Sequence, residues 1–256
     1  MTFQTIQFTK EAGVAMIRLN MPDRMNALSP EMKAELFTAF DDVASDDTLR
    51  VLILIGSGKA FSAGGDLSKF NFENLAAARA YSKATSSGIH RRLETLEIPV
   101  IVAVNGYAFG GGMELCLFAD LVIASENAKF SLPEASLGAV AGLALVRGPD
   151  VLGRRKLKEL MWLGERIDAQ EAWRIGLVNR VVPHDQLEAA AREMAAKIAK
   201  MAPLAVRLSK NALNRDLDEG AWVTTTEVGA LLFCSEDLRE GVRSFMEKRS
   251  PVFKGR

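Results

Sequence analysis

Two glutamates stand in positions that suggest acyl chemistry, and one of them lies beside a run of glycines. Glu114 stands three residues past Gly111 in the stretch GGGME, and Glu134 follows Pro133 after a short apolar stretch. Consecutive glycines that open a helix let another molecule approach the backbone, and a helix N-terminus presents unpaired N–H groups. Two such donors aimed at one point form an oxyanion hole. Glu114, in the first turn of the predicted helix, is expected to face the same pocket as the Gly111 N–H.

A second glycine-rich turn, FSAGGDL at residues 61–67, follows the apolar stretch 51–55. Nucleotide hydrolysis is disfavoured, because GSGKA at 56–60 lacks both the third glycine of a dinucleotide fingerprint and the Ser or Thr of a P-loop. Each feature also has an ordinary structural explanation: tight turns packed on backbone, a glutamate at a helix dipole, and a solvated Pro-Glu turn. The combination of two acids with two turns favours catalysis.

Other residue types that carry chemistry occur in less suggestive settings. His90 lies in a basic helical stretch that we predict to be a solvated face, and His184 follows a proline in a turn. These dissimilar settings disfavour a Ser–His–Asp triad or a zinc site, so no metal is expected. Cys116 is predicted to be a small core residue. The tryptophans are predicted to be packing residues: Trp162, Trp173 and Trp222.

The composition limits the classes of partner. The 256 residues are 48% apolar and 25% charged, and 32 Lys and Arg balance 32 Asp and Glu. Zero net charge predicts no long-range attraction to nucleic acid or to an anionic membrane. Two cysteines without a CxxC pair favour a reducing compartment. No signal-peptide pattern or membrane-length apolar run is visible, so a cytoplasmic protein is expected.

Short apolar runs that alternate with helical stretches indicate an α/β fold. The near-continuous apolar content of these runs indicates a parallel sheet covered on both faces. A strand–strand–helix unit is predicted to recur, with a short strand at 128–131 after the strand 121–123. The predicted strands are 14–19, 51–55, 98–104, 121–123, 128–131 and 177–182.

Helix boundaries are marked by capping residues. Ser29 as N-cap and Pro30 at the first position begin a helix that runs to Val43. Asp168 begins a capping box for a short helix that Gly176 ends. Later helices are predicted at 185–200, 203–215, 218–233 and 236–248, the last capped by Ser235.

The last helices carry apolar faces, for example at 230–233, with little sheet left to cover. We therefore expect them to pack on another subunit. The predicted organisation is a core domain with the active site at residues 1–195, followed by a helical oligomerisation region at residues 196–256.

Five segments make the chain resemble the crotonase (enoyl-CoA hydratase/isomerase) superfamily over its full length, most closely an enoyl-CoA hydratase. The segments are MPDRMNAL at 21–28, FSAGGDL at 61–67, NGYAFGGGMEL at 105–115 with Asp120, FSLPE at 130–134 and RSPVFK at 249–254. The resemblance implies a spiral of ββα repeats with a C-terminal helical trimerisation region. It implies homotrimers, or hexamers made of two trimers. It also implies acyl-CoA thioester substrates and no cofactor besides the coenzyme A of the substrate.

The resemblance also implies roles for individual residues. The N–H groups of Ala63 and Gly111 would form the oxyanion hole, Glu114 would activate water, and Glu134 would exchange the proton at C2. Lys254 would approach the CoA phosphates, either of the same subunit or of a neighbouring subunit. The remaining residues implied in the substrate site are Arg24, Ala27, Gly64, Gly65, Asp66 and Leu67.

Retention of both acids favours hydration of a 2-enoyl-CoA to a 3-hydroxyacyl-CoA, as in fatty acid β-oxidation. Two carboxylates in one small site raise one pKa, so that one can be protonated while the other is ionised. The alternatives within enzymes are a Δ3-Δ2-enoyl-CoA isomerase and a hydratase of a cyclic enoyl-CoA. A non-catalytic, RNA-binding or scaffold role is the alternative from another class.

One segment departs from the pattern of the superfamily. Where many hydratases have Gly-x-x-Pro-Gly-Ala-Gly-Gly-Thr, this chain has GAVAGLALV at 138–146, with Ala141 in place of the proline. The corresponding stretch shapes the acyl pocket in relatives. Leu143 and Leu145 either narrow this pocket or repack it, and both alternatives remain open.

Overall fold

A computed structural model describes residues 3–66, 88–137, 139–214, 236–237, 240, 244 and 247–256. Several predictions fall outside the described residues: those for Leu67, Trp222 and Ser235, and the helix 218–233 with its apolar face. Within the described ranges, no helix has the length and apolar character needed to cross a membrane.

The main sheet has six strands in the order β1-β2-β3-β5-β7-β10. Only the β1–β2 pair is antiparallel, and the other neighbours are parallel. The predicted parallel sheet is therefore confirmed. The strands are β1 Ile6–Glu11, β2 Val14–Leu19, β3 Val51–Gly56, β5 Val100–Val104, β7 Leu121–Ser125 and β10 Arg180–Val182.

Both faces of this sheet are covered, which explains why its central strands are apolar without alternation. In β3, Leu52 and Leu54 point into one apolar cluster, whereas Val51, Ile53 and Ile55 point into the other. The second cluster includes Leu187, Ala191 and Ala195 of helix α6, Leu187–Ala199.

A second, smaller sheet has the order β4-β6-β8-β9. Its strands are β4 Ala60–Ser62, β6 Tyr107–Phe109, β8 Lys129–Ser131 and β9 Ile167–Asp168. Each of β4, β6 and β8 directly follows a strand of the main sheet, so the chain repeatedly passes from the large sheet to the small one. This repetition confirms the predicted strand–strand–helix units and places the glycine turns at the ends of β4 and β6.

Seven α-helices complete the described ranges. Ser29 Oγ accepts the Met32 N–H at 3.2 Å, and Asp168 Oδ1 accepts the Glu171 N–H at 2.9 Å, so both predicted N-caps are confirmed. The predicted helices 185–200 and 203–215 correspond to α6 and α7. The helices are α1 Pro30–Ser45, α2 Ile89–Thr95, α3 Gly111–Leu117, α4 Ala144–Leu163, α5 Ala169–Arg174, α6 Leu187–Ala199 and α7 Pro203–Leu213.

A buried ion pair joins Lys210 of α7 to Asp120, which precedes β7 of the main sheet. The ammonium group of Lys210 donates to Asp120 Oδ2 at 2.7 Å and to the Ile98 carbonyl oxygen at 3.0 Å. The expected domain boundary after residue 195 falls inside α6, which continues to Ala199. The division into a core and an oligomerisation region remains a prediction.

Two of the three tryptophans are not packing residues of this chain. Trp162 and Trp173 are 70% and 56% exposed, so the prediction that they are packing residues is wrong within this chain. Trp162 stands near the end of α4, where the Lys158 ammonium lies 5.5 Å from its ring centroid. Cys116, by contrast, is buried as predicted.

Candidate active site

The two glycine-rich turns meet at one point. Gly64 has a φ of +90°, and a Cβ atom at this position would lie 2.7 Å from the Phe109 carbonyl oxygen and 2.9 Å from the Gly111 nitrogen. A side chain at residue 64 would therefore push the turns apart, in addition to straining the backbone. The close approach places the β4 exit beside the first turn of α3.

The N–H groups of these turns are not equally free. The Ala63 N–H donates to the Met25 carbonyl oxygen at 2.9 Å, so the prediction that it serves as an oxyanion donor is wrong in this structure. Neither the Gly65 N–H nor the Gly111 N–H has an acceptor in the described part of the chain. The Gly65 nitrogen lies 3.6 Å from the position of a Cβ built on Gly111. Gly65 and Gly111 thus form the pair of available donors.

A network of buried hydrogen bonds holds the first turn. Ser62 Oγ donates to the Asn26 carbonyl oxygen at 2.8 Å and accepts the Gly64 N–H at 3.2 Å. The Asn26 amide is fully buried and donates to the Ser57 and Ala60 carbonyl oxygens at 2.9 and 2.8 Å. Asn26 lies in the segment 21–28 that carries the family resemblance, but its residue type alone does not indicate this role.

Glu114 lies in the first turn of α3 and is almost fully buried. Its Oε1 atom accepts the N–H groups of Leu143 and Ala144 at 3.0 and 2.9 Å, where α4 begins. Burial raises the pKa of Glu114 to about 7; the Ala144 N–H opposes this increase, and the nearby charge of Glu134 adds to it. The carboxyl group can therefore gain or lose a proton near neutral pH.

Glu134 begins a 3-10 helix, Glu134–Leu137, after β8. Its Oε2 atom is buried without a hydrogen-bond partner among the described residues, and burial raises its pKa. Its Oε1 atom lies 2.8 Å from the position of a Cβ on Gly110, whose φ is +50°. The Glu114 N–H donates to the Gly110 carbonyl oxygen at 2.9 Å. Gly110 thus contacts the Glu134 carboxyl group and the Glu114 backbone, and the two carboxyl groups are close enough for their charges to interact.

The loop at 21–28 accounts for two further residues of the predicted substrate site. Arg24 ends an exposed 3-10 helix, and the Ala27 N–H donates to its carbonyl oxygen at 3.1 Å. The Leu28 N–H donates to the Gly64 carbonyl oxygen at 2.8 Å. Arg24 and Ala27 thus lie on a loop that is bonded to the turn that carries Gly65 and Asp66.

Lys254 lies in the C-terminal segment of the described residues. Its backbone N–H donates to Asp237 Oδ1 at 2.6 Å, and its ammonium is exposed, 3.9 Å from Glu236 Oε2. A role for this ammonium at the CoA phosphates remains a prediction.

His90 is not on a solvated face, and this prediction is wrong. The side chain is 3% exposed, and Nε2 lies 3.0 Å from the Gly111 carbonyl oxygen. Its basic neighbours do lie outward: Arg91 is exposed, and Arg92 pairs with Asp41. The basic stretch thus describes one side of α2, and the histidine occupies the other.

The unusual segment before α4 closes over Glu114. Ala141 is buried, Leu143 is half-buried, and Leu145 is 53% exposed. The backbone of this segment supplies the two N–H donors that orient the Glu114 carboxyl group. Within the described ranges, no group of three or more His, Cys, Asp or Glu residues is placed to hold a metal ion.

Comparison with known proteins identifies the family. The family model described as enoyl-CoA hydratase/isomerase matches residues 9–256. The chain is 37% identical to the short-chain-enoyl-CoA hydratase of Clostridium acetobutylicum, with 97% of each chain covered. It is 38% identical to the crotonyl-CoA hydratase of Syntrophomonas wolfei, with 99% of each covered.

The fold agrees with this result. A crystal structure of an enoyl-CoA hydratase from Bacillus anthracis superposes with a TM-score of 0.93 at 37% identity, covering 99% of this chain and all of that one. The crotonase-type fold is therefore confirmed. With its two acids, its two N–H groups that have no acceptor among the described residues, and this full-length similarity, the chain belongs to the enoyl-CoA hydratase/isomerase family.

Proposed function

We propose that this protein adds water across the 2,3 double bond of an enoyl-CoA thioester. The observation that carries the proposal is that the carboxyl groups of Glu114 and Glu134 lie close enough for their charges to interact. They lie near the N–H groups of Gly65 and Gly111, which have no acceptor among the described residues. This arrangement can hold an enolate and can also move protons at the two carbons that react.

The backbone donors make the alkene reactive. Water adds poorly to an isolated double bond, but a conjugated thioester can take the developing negative charge onto its carbonyl oxygen. The N–H groups of Gly65 and Gly111 stabilise that charge, and the loss of one such donor typically costs about 10²–10³ in rate. The contact between the two turns keeps both donors in place before the substrate arrives.

The acids divide the proton transfers. Ionised Glu114 accepts a proton from water as the water oxygen bonds to C3, and the electron pair of the alkene moves into the enolate. Protonated Glu134 then delivers its proton to C2, and the thioester carbonyl re-forms. One water is added in total, and proton exchange with solvent restores the acids. Each acid–base role is worth roughly 10²–10⁴ in rate.

The assembly and cellular setting are part of the proposal. Coenzyme A enters as part of the substrate, along the loop that carries Arg24 and Ala27, and no further cofactor takes part. The chain acts in the cytoplasm in acyl-CoA metabolism such as β-oxidation, without a nucleic-acid or membrane partner. It forms trimers or hexamers through its C-terminal helices.

One observation favours a second candidate, a Δ3-Δ2-enoyl-CoA isomerase. Glu114 Oε1 is occupied by two backbone N–H groups, whereas Glu134 Oε2 is unpartnered in the described structure. Ionised Glu134 alone would suffice for this reaction. It would take a proton from C2 to form a dienolate and would return that proton to C4.

Product analysis in H₂¹⁸O separates the two reactions. A hydratase given crotonyl-CoA forms 3-hydroxybutyryl-CoA with ¹⁸O at C3. An isomerase given 3-butenoyl-CoA forms crotonyl-CoA without ¹⁸O. Conversion of 3-butenoyl-CoA without any hydration of crotonyl-CoA would replace the first proposal with the second. Binding of acyl-CoA with neither reaction would favour a non-catalytic role.

A further inference from the structure

His90 is a buried titratable group that the proposed mechanism leaves unused. Its ring lies edge-on to Phe118, with centroids 5.9 Å apart and an interplanar angle of 67°. Its Nε2 atom lies 3.0 Å from the Gly111 carbonyl oxygen. Because a carbonyl oxygen can only accept, Nε2 carries the hydrogen and donates it. The imidazole therefore contacts the first residue of α3 and the residue that follows its end.

Burial keeps this imidazole neutral. Desolvation lowers the pKa of His90 to about 4; the bond to Gly111 opposes this decrease, and the positive charge of Lys33 adds to it. A neutral ring with hydrogen on Nε2 remains a donor throughout the neutral range. An apolar side chain could fill the same volume without the cost of desolvating a polar group. An apolar residue, however, could not donate the hydrogen bond to Gly111.

We infer that His90 is a positioning residue for the oxyanion hole. Its hydrogen bond to the Gly111 carbonyl oxygen keeps the N–H of Gly111 directed at the thioester. This inference rests on the proposed function. Gly110, Gly111 and Gly112 have no side chains to restrict their backbone torsions. A hydrogen bond from α2 supplies the restriction, and a donor held in place stabilises charge without reorganising during the reaction.

The test compares two substitutions that differ in one donor. His90→Leu removes the hydrogen bond, whereas His90→Gln places an amide N–H near the position of Nε2. Bound [1-¹³C]butyryl-CoA reports the effect, because a saturated thioester is not hydrated and its C=O stretching frequency falls when donors polarise the carbonyl. We expect the wild-type shift to shrink in His90→Leu and to be largely retained in His90→Gln.

Turnover gives a second measurement. Deleting an oxyanion donor lowers the rate about 10²–10³-fold, and loosening it should lower the rate less. We therefore expect kcat for crotonyl-CoA hydration to fall about tenfold in His90→Leu. The KM should change by less than about twofold, because the donors bond much more strongly to the enolate oxygen of the transition state than to the neutral carbonyl of the bound thioester. His90→Gln should recover most of kcat.

A matched control comes from the preceding residue. Ile89 is also buried on α2, and Ile89→Val loosens the packing without touching the bond to Gly111, so it should keep the wild-type frequency. If His90→Leu does not fold, His90→Met carries the same prediction. Equal frequencies and kcat in the wild type and the apolar variants would overturn the inference, as would equal losses in His90→Gln. Wild-type protein that binds butyryl-CoA without any shift would instead overturn the proposed oxyanion hole itself.

Discussion

The carboxyl groups of Glu114 and Glu134 lie close enough for their charges to interact, yet their surroundings differ. Glu114 is oriented by two N–H groups at the start of α4. Glu134 has a buried oxygen without a partner in the described part of the chain. Donors favour an ionised carboxylate, and burial without donors favours a protonated one. The donors to Glu114 support the proposed division of roles, in which Glu114 is the base and Glu134 is the acid.

The largest expected effect distinguishes the two acids by their roles in hydration and in proton exchange at C2. Glu134→Gln should lower hydration about 10²–10⁴-fold and should abolish exchange of the C2 proton of butyryl-CoA in D₂O. Because Glu114 does not serve C2, Glu114→Gln should retain that exchange. Proton NMR of the bound thioester measures both rates. Equal loss of exchange in the two variants would remove the division of roles.

Glu114→Gln should reduce hydration about 10²–10⁴-fold, while the Kd for butyryl-CoA stays nearly unchanged. The amide keeps an oxygen acceptor for the two N–H groups but cannot take a proton from water. Steady-state kinetics and calorimetric titration measure the two quantities. Exposed Glu126 provides the matched control, and Glu126→Gln should behave as wild type.

Stability should show the cost of burying the base. The pKa of Glu114 is raised from 4.5 to about 7, so the folded state binds more protons than the unfolded chain within that interval. This stabilisation is fully present below pH 4.5 and is lost as the pH rises through 7, by up to about 3 kcal/mol. Glu114→Gln should therefore unfold at a higher temperature than wild type at pH 8, and this advantage should shrink at pH 5. Parallel pH dependences in the two proteins would refute the assigned pKa.

The smallest expected effect concerns the donors to Glu114. Leu143 has a φ of −74°, which suits proline, so Leu143→Pro deletes one N–H with little change of backbone. The pKa of Glu114 should rise, because a donor to its ionised form is gone. Hydration should fall a few-fold at pH 7 and should recover at higher pH. Leu143→Ala keeps the N–H and should leave the pH profile in place.

The fold was largely predictable because its sheet follows local pattern. Strands buried on both faces are apolar throughout, as in Val51–Gly56, and caps such as Ser29 mark their own helices. Helix α4 was not identified, because Pro149 and a kink at Gly153 interrupt its pattern. The exposure of Trp162 was also missed, since residue type alone does not show whether a large apolar side chain is covered within one chain.

The site was predictable as a set of segments but not as an orientation of groups. The motif at 61–67 indicates a turn that supplies a donor. Only the fold shows that the Ala63 N–H donates to Met25, whereas the Gly65 N–H has no acceptor among the residues described. The basic neighbours of His90 obscured its burial, because helix faces change from one residue to the next. The N–H groups of Leu143 and Ala144 were not predicted, as backbone donors carry no signature in residue type.

Ultraviolet absorbance of crotonyl-CoA provides the most direct test of the central claim, which is that two acids beside two free N–H groups hydrate an enoyl thioester. We predict that the absorbance of the conjugated thioester falls rapidly on mixing with the wild-type protein and hardly changes with Glu114→Gln. Unchanged absorbance with wild-type protein that demonstrably binds CoA esters would contradict the claim.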